Sequence, residues 1–236
     1  MGESKVVSLI FLYVFMKNSI YAFMMVTLLL ITGCSQSEYV VSSDDLIVEG
    51  SLLEGISKDE LSDNEVAGLI LMREEEKLAR DVYQVLGRTW DIRIFDTIAQ
   101  SEQTHTTAVK SLLDRYDIAD PVVTDSQGIY ASGVLQKLYN DLVAKGTTSL
   151  LDALIVGATV EDLDIKDLAD LLETTDNQDI IATYESLQRG SRNHMRAFVK
   201  QIERNGGTYI PHYISKNLYQ QIINGSQERG QGGKRK

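Results

Sequence analysis

The sequence predicts an all-α protein whose body, from about residue 63 to residue 204, is a four-helix bundle with an extra connecting helix between its second and third long helices. Three observations predict it. Apolar residues recur at three-four spacing over long stretches, the period of a helix and not of a strand. Only two prolines, Pro121 and Pro211, punctuate the 236 residues. A hydrophobic content of 43% with a mixed composition is enough to bury one core, so one main domain is expected.

Taken in order, the first long helix is expected to start at Ser62 or Asp63, where Ser62 and Glu65 form a capping-box pattern, and to end near Gly87. The second spans about 94–116 and stops before the Asp120-Pro121 break. The connecting helix covers about 130–144, is ended by Gly146, and shows a plain packing face of Leu135, Leu138 and Leu142. The third starts from a Thr148 or Ser149 cap and runs over about 150–172, with a bend expected near Asp164. The fourth follows Asp176-Asn177, covers about 179–204 and ends at Gly206-Gly207.

Ahead of the bundle the pattern changes. Residues 20–31 are almost wholly apolar, Lys17 precedes them, and Thr32 and Gly33 lead into Cys34, the only cysteine. This is the order of a signal peptide, with Met16 as the expected start of translation. Ile31-Thr32-Gly33-Cys34 resembles the lipobox of prokaryotic lipoproteins, which implies cleavage before Cys34 and a lipid on its thiol. The expected organisation is therefore signal peptide over 1–33, flexible tether over 34–60, bundle domain over 61–213, and a C-terminal helical remnant with a basic tail over 214–236.

The charge narrows the function classes. The full chain carries −11; losing Lys5, Lys17 and Glu3 with residues 1–33 leaves 21 basic and 33 acidic residues, or −12. A phosphate-binding surface needs clustered Lys and Arg, and only the tail Lys234-Arg235-Lys236 clusters, so no nucleic-acid partner is expected. With one cysteine, no internal disulfide can form, and stability must come from the core or a bound metal.

The inward seam of each helix carries ionisable residues where burial would reserve apolar ones. The second helix reads Phe95, Ile98, Glu102, His105, Val109, Leu112, and the third reads Leu154, Gly157, Glu161, Asp164, Leu168. The fourth reads Tyr184, Leu187, Ser191, His194, Phe198. On the first, Glu76 shares a seam with Leu69, Met72, Ala79 and Tyr83, while Glu75 lies on a neighbouring seam with Leu71, Leu78 and Val82; phase alone does not choose between them. Bare carboxylates in a core cost several kcal/mol each unless paired or bound to a cation. Two divalent metals would resolve that, and an oxygen and imidazole donor set without thiolate suits iron or manganese and does not exclude zinc.

These residues resemble the ferritin-like superfamily, in which Glu residues and Glu-x-x-His motifs from four helices hold two metals. Glu76-Lys77-Leu78-Ala79-Arg80-Asp81-Val82-Tyr83 is similar to the first-helix pattern of rubrerythrins, which favours Glu76 over Glu75. Ile98-Ala99-Gln100-Ser101-Glu102-Gln103-Thr104-His105 is similar to their Glu-x-x-His helix. Together with Val156-Gly157-Ala158, Glu161 and Gly190-Ser191-Arg192-Asn193-His194, the run from about Leu61 to Tyr213 resembles a prokaryotic ferritin-like family catalogued as a domain of unknown function. The chain departs from the rubrerythrin pattern at Ser191, where a glutamate would stand three residues before the last histidine.

The expected centre is thus Glu76, Glu102, His105, Glu161, Asp164 and His194 around two iron ions, with manganese or zinc as alternatives and Asp164 as substitute for the missing glutamate. Tyr83 and Tyr184 are candidates to lie against it, whereas His212 and Trp90 read as structural. The resemblance implies a di-iron protein reacting with dioxygen or peroxide, held outside the cytoplasm on a cell or outer membrane by lipidated Cys34. Electrons would need a separate donor, since one cysteine cannot build a rubredoxin-like centre. A homodimer is left open, and the rival class is a non-catalytic metal-binding or structural lipoprotein. Iron storage ranks last, because a tether makes a closed shell awkward.

Overall fold

The computed structural model describes residues 55–230; the expected signal peptide, Cys34, most of the tether and the basic tail lie outside them. Among the described residues there are six helices and no strand: α1 (Asp63–Trp90), α2 (Arg93–Arg115), α3 (Gly133–Gly146), α4 (Leu150–Leu172), α5 (Gln178–Arg204) and α6 (Lys216–Asn224). The protein is an all-α helical bundle. None of these helices is long and apolar enough to cross a membrane.

Two helix boundaries and one expected bend differ from the sequence reading. α1 passes Gly87 and ends at Trp90, closed by Asp91 in the left-handed region (φ 51°) with its N–H on the Gly87 carbonyl. Gly87 serves close packing and not termination: a Cβ there would stand 2.7 Å from Asp96 Oδ1. α3 begins at Gly133 because Ser132 caps it, accepting from the Leu135 N–H, while Tyr130 is held back to donate to Asp81. α4 continues unbroken through Asp164. Trp90 does pack at the turn into α2, and its indole N–H donates to the Gly146 carbonyl at 2.9 Å.

The packing follows from the seams. The start of α1 (Leu69, Met72), the end of α2 (Val109, Leu112, Leu113), the end of α4 (Leu168) and the start of α5 (Ile180, Leu187) form one apolar cluster. At the opposite end Tyr83, Phe95 and Phe198 meet with ring centroids 5.2–6.3 Å apart. α1 is therefore antiparallel to α2, and α4 to α5, while α2 and α4 run the same way. A parallel pair needs a crossover the length of the bundle, and residues 116–149 supply it, with α3 packed against α1 and α4. Between the two apolar layers lies the polar level of Glu76, Glu102, His105, Glu161 and His194, all buried.

The bundle's lower end is tied by Glu65. Its carboxylate accepts from the Ser62 backbone N–H (2.8 Å), Thr175 Oγ1 (2.6 Å) and Asn177 Nδ2 (2.7 Å), so the N-terminal capping box of α1 also clamps the turn between α4 and α5. Burial opposes its charge, but these donors outweigh burial and hold its pKa at about 2 against an ordinary 4.5. A depressed carboxylate stabilises the fold above the unfolded pKa, and that stability drains as pH falls from about 4.5 toward 2. Urea unfolding of Glu65→Gln should show a deficit of about 1–3 kcal/mol near pH 6 that shrinks toward zero near pH 2. A deficit that does not change with pH would show that the charge plays no part.

Candidate metal centre

Four helices converge on the polar level, and each delivers its residue because the apolar seam above and below it is locked in a core layer. Glu102 and His105 sit one turn apart on α2, facing Glu76 of α1, Glu161 of α4 and His194 of α5. Glu102 is the hinge of the arrangement. Its Oε2 lies 2.8 Å from His105 Nδ1, and its Oε1 lies 2.8 Å from His194 Nδ1. His105 Nδ1 is also 3.2 Å from Glu76 Oε2, and His194 Nδ1 is 3.4 Å from Glu161 Oε2.

Two groups of three result, Glu76 with Glu102 and His105, and Glu102 with Glu161 and His194, in each of which the ligating atoms lie within 4.8 Å of one another. The imidazoles stack with centroids 5.6 Å apart and planes inclined by 28°. Supporting contacts set the ligand orientations. Ser101 Oγ lies 3.0 Å from His194 Nε2, fixing that ring through its outer nitrogen. Tyr83 donates its hydroxyl to Glu161 Oε1 at 2.5 Å. Gly190 lets α5 approach the outer edge of the His105 ring, where a Cβ would stand 2.6 Å from Nε2.

The electrostatics are those of a cluster with more carboxylates than cations. Burial pushes Glu76 and Glu161 up, and neighbouring carboxylates add to the rise. Burial also acts on Glu102, but His194 and His105 outweigh it and hold Glu102 well below the usual carboxylate range. The imidazoles mirror this: burial alone would lower both, yet Glu102 and Glu76 raise His105, and Glu102 and Glu161 raise His194 to about 10.

The donor set fits two metal ions on an observation independent of any family likeness. Glu76 Oε1, Glu102 Oε1 and His194 Nδ1 are buried without an aligned hydrogen-bond partner, although Glu102 Oε1 and His194 Nδ1 are within contact distance. Two donor atoms 2.8 Å apart with no aligned hydrogen bond between them have the spacing of neighbouring ligands of one ion.

Of the six ligands expected from sequence, five fall into the two groups. Asp164 stands outside both: its carboxylate accepts from Ser191, and burial with repulsion from Glu161 raises its pKa to about 8. Glu76, and not Glu75, is the α1 member. Tyr83 touches the centre, whereas Tyr184 belongs to the apolar cluster at the Glu65 end. Ser101 and Gly190 were invisible from periodicity; the one available signal was a glycine in mid-helix immediately before Ser191. Asp162 was also missed. It is buried beside Glu161 and accepts from Tyr209 Oη and the backbone N–H groups of His212, Tyr213 and Ile214, fastening the 209–214 loop over α4.

Comparison with known proteins places the chain in a family. The chain is 53% identical over 178 residues to Uncharacterized protein MJ0754 of Methanocaldococcus jannaschii, covering 75% of this chain and 96% of that protein. The crystal structure of hypothetical protein MJ0754 from Methanococcus jannaschii DSM 2661 superposes with a TM-score of 0.73 at 54% identity, over 73% of this chain and 99% of that one. Residues 65–226 match the family model described as Uncharacterized protein domain (DUF2202), and the chain belongs to that family.

Proposed function

We propose that this chain is a membrane-tethered, ferritin-like protein that holds two metal ions, iron foremost and manganese or zinc as alternatives, and reacts with dioxygen or peroxide. The observation that carries the reading is Glu102, whose two oxygens face two different imidazoles and so act as a bridge between two ligand groups. The parallel α2 and α4 joined by one long crossover support the ferritin-like part, since bundles of that class have one such connection.

In this reading Glu76 and His105 would hold one ion and Glu161 and His194 the other, with Glu102 contributing to both groups. Bound there, a pair of iron ions would supply one-electron redox steps and open positions for an oxidant. The chain's own part is positioning. Ser101 holds the His194 ring, Tyr83 holds Glu161 through its hydroxyl, and the aromatic layer of Tyr83, Phe95 and Phe198 keeps bulk water from one side. Ser191 offers no carboxylate where a second bridge would stand and instead donates to Asp164, leaving that face of the centre less crowded. A lipid on Cys34 would keep this chemistry at an extracytoplasmic membrane face, and electrons would arrive from a separate donor.

Metal analysis of protein purified without chelator tests the reading. Wild type should carry about two equivalents, and the double variant Glu102→Ala, His105→Ala almost none, with loss of the metal-dependent rise in melting temperature. Negligible metal in both, with equal melting temperatures, would leave a non-catalytic structural lipoprotein as the reading to keep.

A further inference from the structure

One acidic group beside the centre is not used by it. Glu75 is 6% exposed, and neither of its carboxylate oxygens has a hydrogen-bond partner. It meets the carboxyl group of Asp167 on α4 within hydrogen-bonding reach, and Asp167 Oδ2 is likewise buried and unpartnered. Two carboxylates facing each other offer acceptors and no donor, so only a proton or a cation can lie between them. The charges of Asp167, Asp164 and Glu76 all act on Glu75, and Asp167 is partly exposed whereas Glu76 belongs to the polar level.

The same residue faces an opening. A narrow cleft between α1, α3, α4 and the 209–214 loop is lined by the apolar side chains of Leu138 and Leu142, by Tyr213 and by the carboxylates of Glu75, Asp164 and Glu161. Glu102 also lines it. Apolar walls beside these carboxylates focus a negative field in the cleft, which raises the local concentration of cations there. An unpartnered, buried carboxylate in such a cleft is poorly explained by packing, since burying it without a cation costs several kcal/mol.

We propose that Glu75 and Asp167, with Asp164 behind them, form an auxiliary divalent-cation site through which metal reaches the two-metal centre; this rests on the centre proposed above. The ligands are hard oxygen donors, so the site suits a labile divalent ion held more weakly than those bound with imidazole.

The test uses the full chain, stripped by chelation and titrated anaerobically with Mn2+, with the free-ion electron paramagnetic resonance signal giving both stoichiometry and loading rate. Wild type should bind two ions tightly and a third more weakly. Glu75→Gln and Asp167→Asn, both isosteric and each removing a buried charge, should keep the tight pair and lose the weak ion. They should also load the pair at least about tenfold more slowly. Glu102→Ala, His105→Ala should lose the tight ions and keep the weak one. Loading at the wild-type rate with a third ion still bound in both single variants would overturn the auxiliary site and leave a shared proton between Glu75 and Asp167. Absence of tight Mn2+ in wild type would overturn the two-metal centre itself, so the two proposals fail on different readings.

Discussion

Asp81→Ala should be the most damaging single change outside the centre, lowering unfolding stability by about 3–5 kcal/mol, a large part of a typical domain's total. Asp81 is fully buried on α1 and answers two cations of the same helix. Lys77 Nζ lies 2.5 Å from its Oδ2, and Arg80 reaches its Oδ1 from Nε at 3.0 Å and Nη2 at 2.9 Å. The same carboxylate accepts from the Gly128 N–H at 2.9 Å and Tyr130 Oη at 3.0 Å, which seats the crossover against α1. Lys77 itself is 0% exposed, with the Ser126 carbonyl and the Tyr130 ring as its remaining partners. Removing Asp81 would strand that ammonium in the core, whereas Asp81→Asn keeps an acceptor and should cost less. Urea unfolding followed by circular dichroism measures both, and a loss below about 1 kcal/mol for the alanine would sink the claim that this ion pair is needed once formed.

Gly190→Ala should damage the centre without touching any ligand. The added Cβ would lie 2.6 Å from both Cε1 and Nε2 of His105, closer than such contacts occur. His105 cannot simply yield, because Glu102 and Glu76 hold its Nδ1 from the other side. Either the ring leaves its place or α5 moves away and takes His194 with it, since both residues are on that helix. Alanine gains about 1 kcal/mol of helix propensity over glycine, while overpacking costs about 1–3 kcal/mol, so the net loss of stability should be about 0–2 kcal/mol. Metal affinity should fall about 10–100-fold, the range seen when a ligand's support is disturbed. Gly133→Ala, which would meet nothing within 4 Å, is the matched control. Equal metal titrations for Gly190→Ala and wild type would show that the His105 ring has room the geometry denies.

The helical class and the sequence of long helices were legible because a helix has a fixed period, and apolar residues at that period mark the buried stripe wherever the helix packs. Ser62 with Glu65 could be read as a start for the same local reason, and both halves of that capping box form. Ends were less legible. Gly87 looks like a stop, but its missing side chain makes room for α2, a contact that belongs to another part of the chain.

Spacing along single helices is enough to put Glu102, His105, Glu161, Asp164 and His194 on inward seams and to narrow the first helix to Glu76 or Glu75, while the preference for Glu76 and the missing glutamate at Ser191 came from the family resemblance. How they meet depends on the packing of the four helices. Which oxygen of Glu102 faces which imidazole, the turning of Asp164 toward Ser191, the support of His194 by Ser101, and the division of labour between Glu76 and Glu75 all depend on rotation and offset between helices. Those quantities are set by the mutual fit of whole side-chain layers, and no periodicity within one helix contains them.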